Sequence, residues 1–117
     1  MPFVMARTNV PVSKEQELEI KPRFGKVIGL VPGKSEEYLL MGIEDNCRMW
    51  LRGDNAPMVY IEAAIFGNEQ HYGYDRLTAG ITRIYNEVLD IPPENVYIKY
   101  DDISSWGVRG MFIEGRR

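Results

Sequence analysis

One cysteine and one histidine are all that 117 residues hold of the usual soft metal and redox ligands. A lone Cys47 excludes an internal disulfide and any Cys-x-x-Cys dithiol chemistry, and with His71 as the single imidazole no metal site is expected. Clustered basic charge is missing too. Fourteen Lys and Arg stand against 17 Asp and Glu, a net charge of -3 without a cationic run, so nucleic acid is not an expected partner. Apolar runs stay far below the roughly 18 residues of a membrane span, and the polar segment after Val12 is no secretory core, so no membrane partner is expected. A cytoplasmic location follows as the expectation, with release by an unconventional route as the alternative. What is present, 44% hydrophobic and 26% charged residues, suits one compact domain over 1–117.

Pro2 stands directly behind Met1 in Met1-Pro2-Phe3-Val4-Met5, at the start of an apolar strand-like segment. Removal of Met1 gives Pro2 a free secondary amine. An apolar site and a nearby cation both disfavour the protonated form of such an amine and bring it into the range of a general base. Methionine trimming alone also explains a proline at this position. With Met1 retained, the Pro2 nitrogen is a tertiary amide without a basic lone pair.

The rest of the chain reads as a duplication. Ser13-Lys14-Glu15-Gln16 has the form of a capping box and opens a helix that runs toward Val31. Its apolar residues Ile20, Phe24, Val27, Ile28 and Val31 form one stripe, with Pro22 expected to kink the helix or split off its first turn. Leu77, Ile81, Ile84, Tyr85 and Val88 repeat that spacing at a displacement of 57 residues. A tyrosine-led strand is expected after each helix, from Tyr38 to Ile43 and from Val96 to Tyr100. Another precedes each helix, from Phe3 to Arg7 and from Met58 to Phe66.

Two β-α-β halves, about 1–57 and 58–117, therefore predict an α+β fold of two layers. Two helices cover one face of a mixed four-stranded sheet. Further strands are expected at 48–52 and 110–113, and Arg52-Gly53-Asp54 is read as a turn rather than an adhesion signal. Val59-Tyr60-Ile61 and Val96-Tyr97-Ile98 look apolar enough to be buried on both faces. A further copy of the chain is the expected cover for the face without helices.

These segments resemble the macrophage migration inhibitory factor family of the tautomerase superfamily. The resemblance is carried by Met1-Pro2-Phe3-Val4 with Thr8-Asn9-Val10-Pro11, by Gly33-Lys34 followed by Tyr38, and by Val96 to Tyr100 with Asp102. It implies a homotrimer and a site built on Pro2 as base and acid. Lys34 then lies at the mouth, and Ile65 and Phe66 offer a backbone amide. Tyr38 belongs to the pocket, and Tyr97 reaches over from a neighbouring subunit. Lys99 stands where the vertebrate cytokine has asparagine, which implies a second cation near the site. Trp106, Val108 and Phe112 fall in the region that supplies the pocket rim. The cytokine's Cys-x-x-Cys pair is replaced by Met58 and Ile61, so its thiol chemistry is not expected.

The implied reaction is keto-enol tautomerisation of an arylpyruvate-like α-keto acid, in the manner of a phenylpyruvate tautomerase or dopachrome isomerase. Pro2 removes and returns the proton, the lysines hold the carboxylate, and Tyr38, Tyr97 and Phe66 hold an apolar tail. No metal or organic cofactor is needed. The alternative is a cytokine-like or host-mimicking signalling trimer that acts by receptor binding, with an incidental pocket. Against each role stands a plainer one: Lys34 complements a helix end, the tyrosines pack, and Lys99 is solvated.

Overall fold

The computed structural model describes residues 1–114, so the end of the expected 1–117 domain lies outside the described residues. Four strands form one sheet in the order β2-β1-β3-β4: β1 Pro2–Thr8, β2 Leu40–Glu44, β3 Val59–Phe66 and β4 Val96–Ile103. β1 runs parallel to β2 and antiparallel to β3, and β3 runs parallel to β4. Helix α1 (Lys14–Val27) connects β1 to β2, and α2 (Tyr74–Leu89) connects β3 to β4. The two β-α-β halves thus meet where β1 pairs with β3, and the mixed two-layer α+β architecture is present as expected. A hairpin of β5 (Ser105–Val108) and β6 (Met111–Glu114) follows. Among the described residues no helix is long and apolar enough to cross a membrane.

The repeated stripe is what packs the layers together. Ile20, Phe24, Ile28 and Val31 of the first half and Leu77, Ile81, Ile84 and Tyr85 of the second are buried with Val4, Ala6, Val59, Ile61, Ala63 and Ile65 of the sheet in one core. At about 1.5–3 kcal/mol for each fully buried large apolar side chain, this core is the main source of stability. The Tyr85 hydroxyl is buried inside it without a hydrogen-bond partner. An unsatisfied buried hydroxyl costs about 1–3 kcal/mol. Tyr85→Phe is therefore expected to raise the free energy of unfolding in urea by an amount of that order, and a loss of stability would contradict this.

Several local expectations are corrected. The capping box forms as read, with Ser13 Oγ accepting from the Gln16 amide at 3.1 Å and Gln16 Oε1 from the Ser13 amide at 2.9 Å. Helix α1 runs unbroken through Pro22, because Pro22 and Leu18, whose carbonyl loses a donor, lie on the exposed side where water can serve it. It ends at Val27 and tightens into a 3₁₀ turn at Ile28–Leu30. Tyr38 does not lead a strand. It closes a second 3₁₀ turn at Glu36–Tyr38, and β2 begins only at Leu40.

The expected strand at 48–52 is absent. Leu51 and Asp54 pair alone around a tight turn, with Arg52 and Gly53 at φ of 53° and 74°. Within one subunit, β3 and β4 are buried on the helix-facing side alone. Val59, Ile61, Ala63 and Ile65 are buried while Tyr60, Glu62, Ala64 and Phe66 are half-exposed, and Tyr97 is 50% exposed. The face away from the helices is partly polar. Arg7 bonds Glu44 at 2.8 Å and Glu62 at 2.7 Å, and Lys99 reaches Glu62 at 3.4 Å and Asp101 at 3.5 Å.

Candidate functional site

The start of the chain lies at one end of the sheet, where several segments converge. Pro2 is opposite Ile65 of β3, and Ile65 is opposite Asp102 of β4. Phe3 is opposite Leu40, so the segment just before β2, with Tyr38, runs beside the chain start. Pro2 is buried on the helix-facing side with Val4 and Ala6. A proline is tolerated at this first strand position because no ladder donor is needed there.

The amine of Met1 sits against Lys34. Partial burial, then the Lys34 charge and contact with its side chain, bring this amine down from 8.0 to about 6. Lys34 is carried there by the Val31 to Lys34 turn, closed by the Lys34 amide donating to the Val31 carbonyl at 3.1 Å, with Gly33 at a φ of 77°. A Cβ at Gly67, just past β3, would meet Lys34 Nζ at 4.0 Å, which sets the lysine beside the end of that strand. The Phe66 amide donates to the Met1 carbonyl at 3.4 Å. That amide is therefore aimed at the volume occupied by the first residue.

The sign of the Met1 titration gives a test in the chain that carries Met1. A basic group depressed by folding binds more protons in the unfolded state between the two pKa values. Stability therefore rises as pH increases from about 6 to 8 and is lost as pH falls back through that window. Lys34→Ala is expected to raise the pKa of the amine and flatten this dependence, as read by thermal unfolding at pH 6 and pH 8 and by NMR titration of the amino terminus. An unchanged amine pKa would contradict the assignment to Lys34.

The other expected residues divide into two groups. Ile65 and Phe66 are at the chain start, and Tyr38 stands next to it, 48% exposed. Tyr97 and Lys99 are not there. Tyr97 is opposite Tyr60, whose other neighbour is Arg7, five residues from Pro2 along β1, or about 17 Å, and it points to the opposite face. Lys99 is on that opposite face too, engaged by Glu62 and Asp101, which raise its pKa, so within one subunit it is no second cation beside Pro2.

In the hairpin, Trp106 is opposite Ile113 and Gly107 opposite Phe112. Alternation puts Trp106 and Val108 on one face and Phe112, 69% exposed, on the other, so the three do not line a single surface of the hairpin. Sequence reasoning passed over Arg109. It occupies the tip of this hairpin with its guanidinium 6.0 Å from the centre of the Tyr38 ring. The signal was available in Val108-Arg109-Gly110-Met111, a turn pair between apolar residues.

His71 Nε2 lies 2.5 Å from Asp102, whose other oxygen accepts from the Tyr74 hydroxyl at 3.2 Å. This pair ties the loop before α2 to the end of β4. Among the described residues no three metal-ligating side chains gather.

A β-α-β duplication with its amino terminus beside a lysine at the sheet end is the arrangement of the tautomerase superfamily, to which the family match below assigns the chain. More narrowly, the chain belongs to the macrophage migration inhibitory factor family, whose sequence model matches residues 1–112. It is similar in fold to Leishmania major MIF2, with 20% identity, a TM-score of 0.88, and 97% of each chain covered. The factor from Toxoplasma gondii is 18% identical with a TM-score of 0.86, over 95% of this chain and 99% of that one. Pt0534, a structure inactivated by 2-oxo-3-pentynoate, is 15% identical with a TM-score of 0.82, over 96% of this chain and 95% of the other. No match was found among curated proteins.

Proposed function

We propose that the protein is a keto-enol tautomerase of α-keto acids such as phenylpyruvate, with Pro2 as general base and acid once Met1 has been removed. The observation that carries this reading is the lowered pKa of the amine at the chain start beside Lys34. The Pro2 nitrogen is one residue, about 3.8 Å of chain, further in, and Pro2 itself is buried. Once Met1 is gone, burial and the Lys34 charge both disfavour the protonated form of the Pro2 amine, the direction that a general base at neutral pH requires. That amine takes a proton from the carbon next to the ketone. Lys34 holds the carboxylate and stabilises the charge that develops on the enolate oxygen, and the protonated pyrrolidine returns the proton. The Phe66 amide, aimed at the first residue, offers a donor to an oxygen of the substrate. Inactivation of Pt0534 by a 2-oxo acid is consistent with an α-keto acid as substrate class, but the proposal rests on the residues of this chain.

We also propose that the protein assembles as a homotrimer. Tyr97 and the sheet face away from the helices remain open in one subunit, and a neighbouring copy is the only way to bring Tyr97 to a Pro2. Sedimentation velocity is expected to give a trimer, and a monomer would overturn this part. The enzymatic reading is tested with Met1-free protein and phenylpyruvate, by following loss of the enol absorbance. Saturable turnover is expected, and a rate no higher than that of buffer would overturn it.

A further inference from the structure

The cation beside Tyr38 has no assigned task. Arg109 and Gly110 have φ of 54° and 75°, the values of a two-residue turn whose backbone matches the twist of the strands on either side. That turn holds Arg109 on a stiff hairpin rather than on a wandering loop, with the guanidinium over Tyr38. Among the described residues no carboxylate lies within ion-pair distance of Arg109 or of Lys34. The nearest acidic residue along the chain from Tyr38, on the Lys34 side, is Glu37. Beyond it, Glu36 is turned back over α1, where its carboxyl fills the place that a Cβ at Gly25 would need. Lys99, by contrast, is engaged by Glu62 and Asp101. Two cations not paired with a carboxylate therefore stand at this end of the molecule, Lys34 beside the chain start and Arg109 over Tyr38. A guanidinium lying over an aromatic ring keeps its N–H edge free, and that edge can take a carboxylate through two parallel hydrogen bonds.

We propose that Arg109 is a specificity-determining residue that binds a second anionic group, so that the preferred substrate is an α-keto acid whose tail ends in a carboxylate. Lys34 takes the carboxylate next to the ketone, Tyr38 supports the tail, and Arg109 receives its far end. This inference rests on the tautomerase reading, and the test separates the two.

The probes are phenylpyruvate and 4-carboxyphenylpyruvate, which share ring and keto acid and differ in one distal charge. Met1-free wild type is expected to favour the carboxylated acid in kcat/KM. Arg109→Ala is expected to lower the ratio between the two acids by about 10-fold or more, mainly through KM, and Arg109→Lys to restore part of it. The KM of wild type for the carboxylated acid should also rise with salt. A ratio that Arg109→Ala leaves unchanged overturns the proposal, since a residue that only packs on Tyr38 alters both acids together. If neither acid is turned over, the tautomerase reading fails on its own. Calorimetric binding of the two acids then decides on Arg109, by whether wild type prefers the carboxylated one and Arg109→Ala does not.

Discussion

Replacing Pro2 with glycine is expected to lower kcat/KM for phenylpyruvate in the Met1-free protein by about 10²–10⁴-fold, the range of a positioned general base. The variant still has an amine at its start, so the loss reads position and pKa rather than the mere presence of nitrogen. The proline ring is buried in the helix-facing layer, and because its nitrogen is part of that packed ring the packing fixes where the amine points. Glycine has no ring to pack, and its amine turns freely about the Cα–C bond. Its primary amine spends most of its time elsewhere. The fold should survive, because Pro2 donates no backbone hydrogen bond and the core beneath β1 is supplied by Val4 and Ala6. Far-UV circular dichroism checks this. The chain that keeps Met1 is expected to be as inactive as the variant, since its Pro2 nitrogen is an amide, and intact mass spectrometry of each sample tells the two cases apart. Equal rates for wild type and Pro2→Gly would sink the mechanism. A companion effect tests the role proposed for Lys34: Lys34→Ala is expected to move the acidic limb of the pH–rate profile to higher pH, because removing a nearby cation favours the protonated amine.

The duplication was legible because it is written in core residues. Leu77, Ile81 and Tyr85 stand 57 positions after Ile20, Phe24 and Ile28, and all six are buried in the one core between helices and sheet. Burial of a helix stripe depends on local periodicity, which a sequence carries openly. The placement of Lys34 beside the chain start was legible for a different reason, since Pro2 and Lys34 belong to a resemblance across the whole chain. What the sequence did not carry were features fixed by long-range register. Lys99 looked like a free cation because the sequence does not say that Glu62 is its partner across β3 and β4. The register of Trp106, Val108 and Phe112 could not be read from the sequence, and the hairpin pairing puts Phe112 on the face opposite Trp106 and Val108. That Pro22 does not split off the first turn follows from its exposed position, where the lost hydrogen bond is cheap, and that position is decided by tertiary packing.

Gly73→Ala is expected to destabilise the protein by about 2–5 kcal/mol, far more than the substitution of any surface glycine. Gly73 precedes α2 at a φ of 82°, where an L side chain costs about 1–2 kcal/mol. Its missing Cβ also faces backbone: an added carbon would lie 2.2 Å from the Leu30 carbonyl oxygen and 2.9 Å from its carbon. Backbone at the end of the first helical segment cannot rotate aside as a side chain can, and overpacking of this kind adds about 1–3 kcal/mol. Gly53 separates the two contributions. It has a φ of 74° in the Leu51 to Asp54 turn with nothing within 4 Å of an added Cβ, so Gly53→Ala should cost only the conformational part, about 1–2 kcal/mol. Urea unfolding with an unchanged slope measures both, and equal losses would show that the Leu30 contact carries no weight. The contact also bears on the site. Leu30 leads through Val31 and Pro32 to Lys34, so a carbonyl pushed away from the Gly73 position displaces the turn that sets the lysine beside the chain start. At temperatures where Gly73→Ala remains folded, its tautomerase activity should therefore fall below that of Gly53→Ala, a difference that stability alone does not produce.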